Sequence, residues 1–174
     1  LHLEASRPNV AEAFFSFLEN QLSDADTLYI LGDFFNAWIG DDHRTAFIDS
    51  IKAALDTCVN RGTPIYFMHG NRDFLIGSRF EKETGVTLIA EGTIIDLYGK
   101  PVELLHGDSL CIDDESYQAF RKKVRNPDWQ KKMLRLPLFV RKLIAAYMRS
   151  KSKKSNSMKS EYIMDVAQNE NFIQ

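Results

Sequence analysis

Three apolar runs each stop on a short polar motif able to bind metal: Thr27-Leu-Tyr-Ile-Leu-Gly-Asp33, Ile65-Tyr-Phe-Met-His-Gly-Asn-Arg-Asp73 and Val102-Glu-Leu-Leu-His-Gly-Asp108. The carboxylate of Asp33, the amide of Asn71 and the imidazole of His106 together suit a hard or borderline divalent ion such as Mn²⁺, Mg²⁺, Fe²⁺ or Zn²⁺. Each residue alone has an ordinary role open to it: Asp33 as a helix cap, Asn71 in an Asx-turn, His106 as a satisfied core histidine. The recurrence of one device at three run ends favours a single composite site.

Runs of four or five β-prone apolar residues bounded by Gly or Pro read as buried strands of an α/β sheet. Ligands of such sheets bind outside the C-terminal strand ends, so the three motifs are expected to converge there. The supporting elements follow from periodicity. Residues 8 to 22 read as a helix, with Ala11, Phe14, Phe15, Leu18 and Leu22 on one face. A strand at 27 to 31, a helix from Arg44 to Asn60, a break at Gly62-Thr-Pro64 and a strand from Ile65 make a β-α-β unit. A short helix near Arg79 to Glu83 leads to strands at Thr87 to Ile89, Thr93 to Leu97 and Val102 to Leu105, the last two joined as a hairpin through Tyr98-Gly-Lys-Pro101. From about Glu115 the chain reads as helical, punctuated by Pro127 and Pro137.

Composition fits one domain with a sizeable core: 174 residues, 44% hydrophobic and 26% charged. Cys58 and Cys111 lack metal or redox spacing and read as packed thiols of a reducing compartment. There is no 18-residue apolar stretch. The net charge of −2 hides a segregation, because residues 121 to 159 hold 14 of the 22 basic residues and one acid, Asp128. Within that segment Leu136, Phe139, Val140, Leu143, Ile144, Tyr147 and Met148 recur at helical steps, with Arg135, Arg141, Lys142 and Arg149 between them. This basic amphipathic helix either packs its apolar face on the core or meets an anionic partner.

Gly32-Asp33-Phe34-Phe35, Gly70-Asn71-Arg72-Asp73 and His106-Gly107-Asp108 resemble the motif blocks of the calcineurin-like metallophosphoesterases. The longer blocks Leu31 to Asp42, His69 to Leu75, Pro137 to Lys142, Ser155 to Ser160 and Ile163 to Val166 resemble most closely the UDP-2,3-diacylglucosamine hydrolase branch of that family. The likeness runs from residue 2 to about 169. It implies central β-sheets flanked by helices in a four-layer sandwich: a core over 1–114, a basic helical insertion or lid over 115–165, and a return toward the core over 166–174.

The resemblance further implies cleavage of the pyrophosphate bond of UDP-2,3-diacylglucosamine in lipid A biosynthesis, with two Mn²⁺ ions. Asp33 would bridge them, Asn71 and His106 would hold one, and His2 would belong to the other. Arg72 stands where the wider family has a proton-donating histidine, which argues against a generic phosphatase or nuclease. Asn71, Arg72, Asp114, Tyr117, Arg149, Ser152, Asn156 and Lys159 match positions around the nucleotide-sugar and its phosphates. The expected setting is peripheral, on the cytoplasmic face of a bacterial inner membrane, against anionic lipid, with no nucleic acid and no obligate protein partner.

The family pattern opens on Asp-x-His and closes on Gly-His-x-His. The chain begins at the x, and nothing after Lys159 resembles the closing block. The expectation is therefore a piece of a longer enzyme, metal-poor and inactive by itself. The rival readings are a metallophosphoesterase acting on nucleic acid or another nucleotide, and an inactive lipid- or nucleotide-binding fragment.

Overall fold

The computed structural model describes residues 1–22 and 24–159, with side chains described as far as residue 150. The return expected at 166–174 lies outside the described residues. The chain divides into two compact units, residues 1–106 and 107–174.

In the first unit, helix α1 (Pro8–Asn20) buries Ala11, Phe14 and Leu18, three of the face read from the sequence. Strand β1 (Leu28–Ile30), helix α2 (Ala46–Asn60), strand β2 (Ile65–Met68), helix α3 (Ser78–Thr84) and strand β3 (Thr87–Ile89) follow in order. The three strands form a parallel sheet in the order β1-β2-β3. Parallel strands added in one direction through right-handed crossovers place their helices on a common face.

That face is aromatic. Phe34 packs edge-on against Phe14, Phe35 and Phe67 at centroid distances of 5.0, 4.8 and 6.0 Å. Trp38 meets Phe35 and Phe80 at 4.6 and 5.4 Å. Burying several rings of this size dominates the stability of a small core. On the other face, paired Tyr29 and Tyr66 stack at 5.3 Å.

Helix α2 begins where Thr45 accepts a hydrogen bond from the Ile48 amide. Its Lys52 is only 4% exposed. The ammonium donates to Glu83 at 2.6 Å and lies over the rings of Trp38 and Phe80. Lys52 and then Arg79, by donating to Glu83, hold its carboxyl down at about 2.

Strands β4 (Thr93–Leu97) and β5 (Lys100–Leu104) form a separate antiparallel pair. This corrects two expectations. The run before His106 does not belong to the parallel sheet, and Lys100 and Pro101 lie in the strand, paired with Leu97 and Asp96. The turn is only Tyr98-Gly99, both with positive φ, as a two-residue hairpin requires. Alternate residues of β5 stay exposed, which is the mark of a two-layer edge ribbon and differs from a strand covered on both faces.

The second unit is helical: α4 (Glu115–Val124), α5 (Pro127–Leu134) and α6 (Leu138–Lys159). Asp108 accepts from the Tyr117 hydroxyl at 2.7 Å and from Arg121 Nε at 3.0 Å, anchoring α4 to the turn before it. Burial raises the Asp108 carboxyl, and the Tyr117 and Arg121 bonds outweigh it, so the net shift is downward. On α6 the sequence reading needs correction. Arg141, placed among the charged positions, is buried and donates to the Leu136 carbonyl at 2.9 Å. Phe139, Leu143 and Tyr147 are 66%, 68% and 69% exposed, an uncovered apolar stripe at four-residue steps. Among the described residues no helix is long and apolar enough to cross a membrane. Both cysteines are free; Cys58 is buried as expected, which pushes its thiol up, and Cys111 is only half-buried.

Candidate active site

The residues after β1 and β2 make two turns that touch. Gly32 has φ +86°, and a Cβ there would strike the Gly70 backbone and the His106 ring. A Cβ on Gly70 would strike the amide and carboxylate of Asp33. Only glycine permits so close an approach of two backbones. Asp33 itself takes φ +52°, a left-handed conformation that Asp tolerates better than most residues.

Asp73 fixes this geometry. Its carboxylate is fully buried and accepts main-chain N–H groups from Gly70 at 2.7 Å, Phe34 at 2.7 Å, Asp33 at 3.3 Å and Phe35 at 3.4 Å. Burial pushes its carboxyl up; the N–H bonds oppose that shift without cancelling it. Asp33 reciprocates by accepting the Arg72 amide at 3.0 Å. The sequence reading quoted Asp73 within its motif and gave it no role. The available signal was a carboxylate directly following the Gly-Asn-Arg turn, where several N–H groups need an acceptor.

His2, Asp33, Arg72 and His106 converge. His2 Nε2 lies 3.1 Å from Asp33 Oδ2, Arg72 Nε 3.6 Å from the same oxygen, and His106 Nε2 3.7 Å from Oδ1. The segment bearing His2 runs beside the Asp33 turn, with Leu3 donating to Phe34 O at 2.7 Å and Asn36 to Leu3 O at 3.0 Å. Half-buried Asn71 sits between Gly70 and Arg72, whose amides are taken by Asp73 and Asp33.

His106 tests whether a cation fits. Its Nδ1 is 2.6 Å from the Leu31 carbonyl. A carbonyl can only accept, so Nδ1 carries a proton, and in the neutral tautomer that this selects Nε2 holds the ring's lone pair. Nε2 lies 3.7 Å from Asp33 Oδ1, so in that tautomer two acceptors stand side by side. Metal-bound histidines are oriented by such a bond from the other ring nitrogen. The donors therefore fit a divalent ion in kind. Among the described residues no three His, Cys, Asp or Glu side chains form a ready metal cage.

The remaining expected site residues lie in the second unit. Asp114 caps α4, accepting from the Tyr117 amide at 3.1 Å and the Ser116 hydroxyl at 2.8 Å. Tyr117 is held by Asp108. Arg149 is exposed on α6. Ser152, Asn156 and Lys159 follow it along the same helix at steps of three and four residues, their side chains outside the described residues. Of the other histidines, His69 bonds the Ile76 carbonyl at 2.7 Å beneath the second turn, and the His43 amide donates to Gly40 O. Asp41 was also missed. It accepts from the Gly77 and Phe80 amides at the start of α3 and from the Trp38 indole at 3.0 Å.

No family model matches the chain. Curated relatives named UDP-2,3-diacylglucosamine hydrolase do. That of Cellvibrio japonicus is 52% identical over 98% of this chain and 71% of its own length. That of Yersinia pseudotuberculosis is 51% identical over 95% and 69%. An Escherichia coli relative is 53% identical over 97% and 70%. At this identity, over nearly all of its length, the chain belongs to the UDP-2,3-diacylglucosamine hydrolase family.

Proposed function

We propose that the Asp33 cluster hydrolyses the pyrophosphate bond of UDP-2,3-diacylglucosamine, giving UMP and 2,3-diacylglucosamine 1-phosphate on the way to lipid A. Identity above one half to relatives of that name supports the reaction. The observation that carries the chemistry is the His106 ring, oriented through Nδ1 by the Leu31 carbonyl with Nε2 3.7 Å from an Asp33 carboxylate oxygen.

Two Mn²⁺ ions are proposed, which His2, Asp33, Asn71 and His106 would hold. When bound, they supply Lewis acidity that lowers the pKa of a water and screens the phosphoryl charge. Attack of water on one phosphorus breaks its bond to the bridging oxygen, which leaves with the other phosphate. Arg72 holds the pyrophosphate and offsets the growing negative charge. Asp114, Tyr117, Arg149, Ser152, Asn156 and Lys159 are proposed to surround the nucleotide-sugar.

The apolar stripe of α6, flanked by exposed Arg135, Lys142 and Arg149, is proposed to rest on anionic lipid at the cytoplasmic face of the inner membrane. Release of UMP from micellar UDP-2,3-diacylglucosamine with Mn²⁺ tests the reaction. Activity that survives replacement of Asp33 by Ala would refute this assignment of the site.

A further inference from the structure

The cluster contains a buried donor that makes no hydrogen bond among the described residues. This is Arg72 Nε, which is shielded from solvent. Asp33 Oδ2, at 3.6 Å, is too far for one. The other end of the guanidinium is held, because Nη1 donates to Asn36 Oδ1 at 3.1 Å. Asn36 is held in turn, its Nδ2 donating to Glu4 Oε2 at 2.6 Å. A carboxylate only accepts and a guanidinium only donates, so the Asn36 amide has a single orientation that satisfies both neighbours.

The chain Glu4, Asn36, Arg72 therefore alternates charged, neutral and charged groups. A neutral acceptor fixes the planar fork from one end without cancelling its charge, as a carboxylate in the same place would. The Nε–H, 3.6 Å from Asp33 Oδ2, is left without a hydrogen bond among the described residues. Glu4 is itself placed by the main-chain bonds on either side of Leu3, to Phe34 and Asn36.

We propose that Asn36, oriented by Glu4, is a positioning residue that keeps the Arg72 Nε–H free for a phosphoryl oxygen of the substrate. The inference rests on the reading of the cluster as a phosphate-binding site and adds a residue to it. Asn36 touches neither substrate nor water in this scheme and acts only through Arg72.

The test is a double-mutant cycle on UMP affinity, measured by calorimetry on the full chain with N36L, R72A and the pair. N36L is expected to weaken UMP about tenfold when Arg72 is present and less than twofold in the R72A background. E4Q, which frees the amide to turn over, should give the same pattern at smaller amplitude and serves if N36L does not fold. An arginine NMR spectrum should show the Arg72 Nε–H shift on adding UMP in the wild type and not in N36L. Equal losses in both backgrounds, or no loss in either variant, overturn the inference and leave the phosphate site standing. A wild-type chain that binds no UMP refutes the phosphate site itself.

Discussion

Asp33 and Asp73 hold each other's turns: Asp73 accepts the Asp33 amide at 3.3 Å, and Asp33 accepts the amide of Arg72, next to Asp73, at 3.0 Å. Replacing Asp73 by Ala strands the buried amides of Phe34 and Gly70, each costing about 1–3 kcal/mol unsatisfied. D73A is therefore expected to lose about 3–5 kcal/mol of stability, read by urea unfolding. D73N, which keeps one acceptor oxygen, should lose less. Equal stability of D73A and the wild type would show that these amides are satisfied some other way.

Gly32→Ala forces a Cβ onto the Gly70 backbone and the His106 ring from a left-handed φ. The expected cost is about 2–4 kcal/mol, from the strained backbone together with the steric overlap. Gly99→Ala, also at positive φ but meeting nothing within 4 Å, should cost only the backbone part, about 1 kcal/mol. The difference in melting temperature between these two variants measures the contact itself.

Stability should fall in acid through Glu83. Its carboxyl titrates at about 2 in the folded chain against 4.5 ordinarily, so its ion pairs are fully in place above 4.5 and are lost as pH drops toward 2. E83Q should lower the melting temperature at neutral pH, where the pairs with Lys52 and Arg79 are in place, and so flatten the acid limb of the profile. A profile identical to the wild type would rule out Glu83 as a source of the acid limb.

The exposed stripe on α6 makes no demand on folding. L143E and Y147E should melt within a degree or two of the wild type. Their binding to phosphatidylglycerol vesicles should drop about tenfold, since each removes an apolar anchor and adds a repelled charge. Unchanged sedimentation with vesicles would remove α6 from the membrane contact.

The sequence reading reached β3 and β4 at their observed bounds, and α1 and α2 within two residues, because helix and strand periods are written locally. It also brought Asp33 and His106 together, although the strand before His106 sits in another sheet. It also read the pairing of β4 with β5 as a hairpin, and missed that Lys100 and Pro101 belong to the strand and that the pair stands apart from the parallel sheet. Asp73 and Asp41 were missed for another reason. Their partners are backbone amides up to 40 residues away, and amides carry no side-chain signal. Arg141 shows the converse: a charged letter between apolar ones, buried because its guanidinium meets a carbonyl five residues back.

The two tryptophans divide between the units, Trp38 beneath the Lys52 ammonium in the first and Trp129 on α5 in the second. Each unit thus carries its own fluorophore, and the two differ in surroundings: one enclosed by Phe35 and Phe80, the other half-open to water. Emission from single-tryptophan variants would report whether the aromatic core and the helical unit melt together or one after the other.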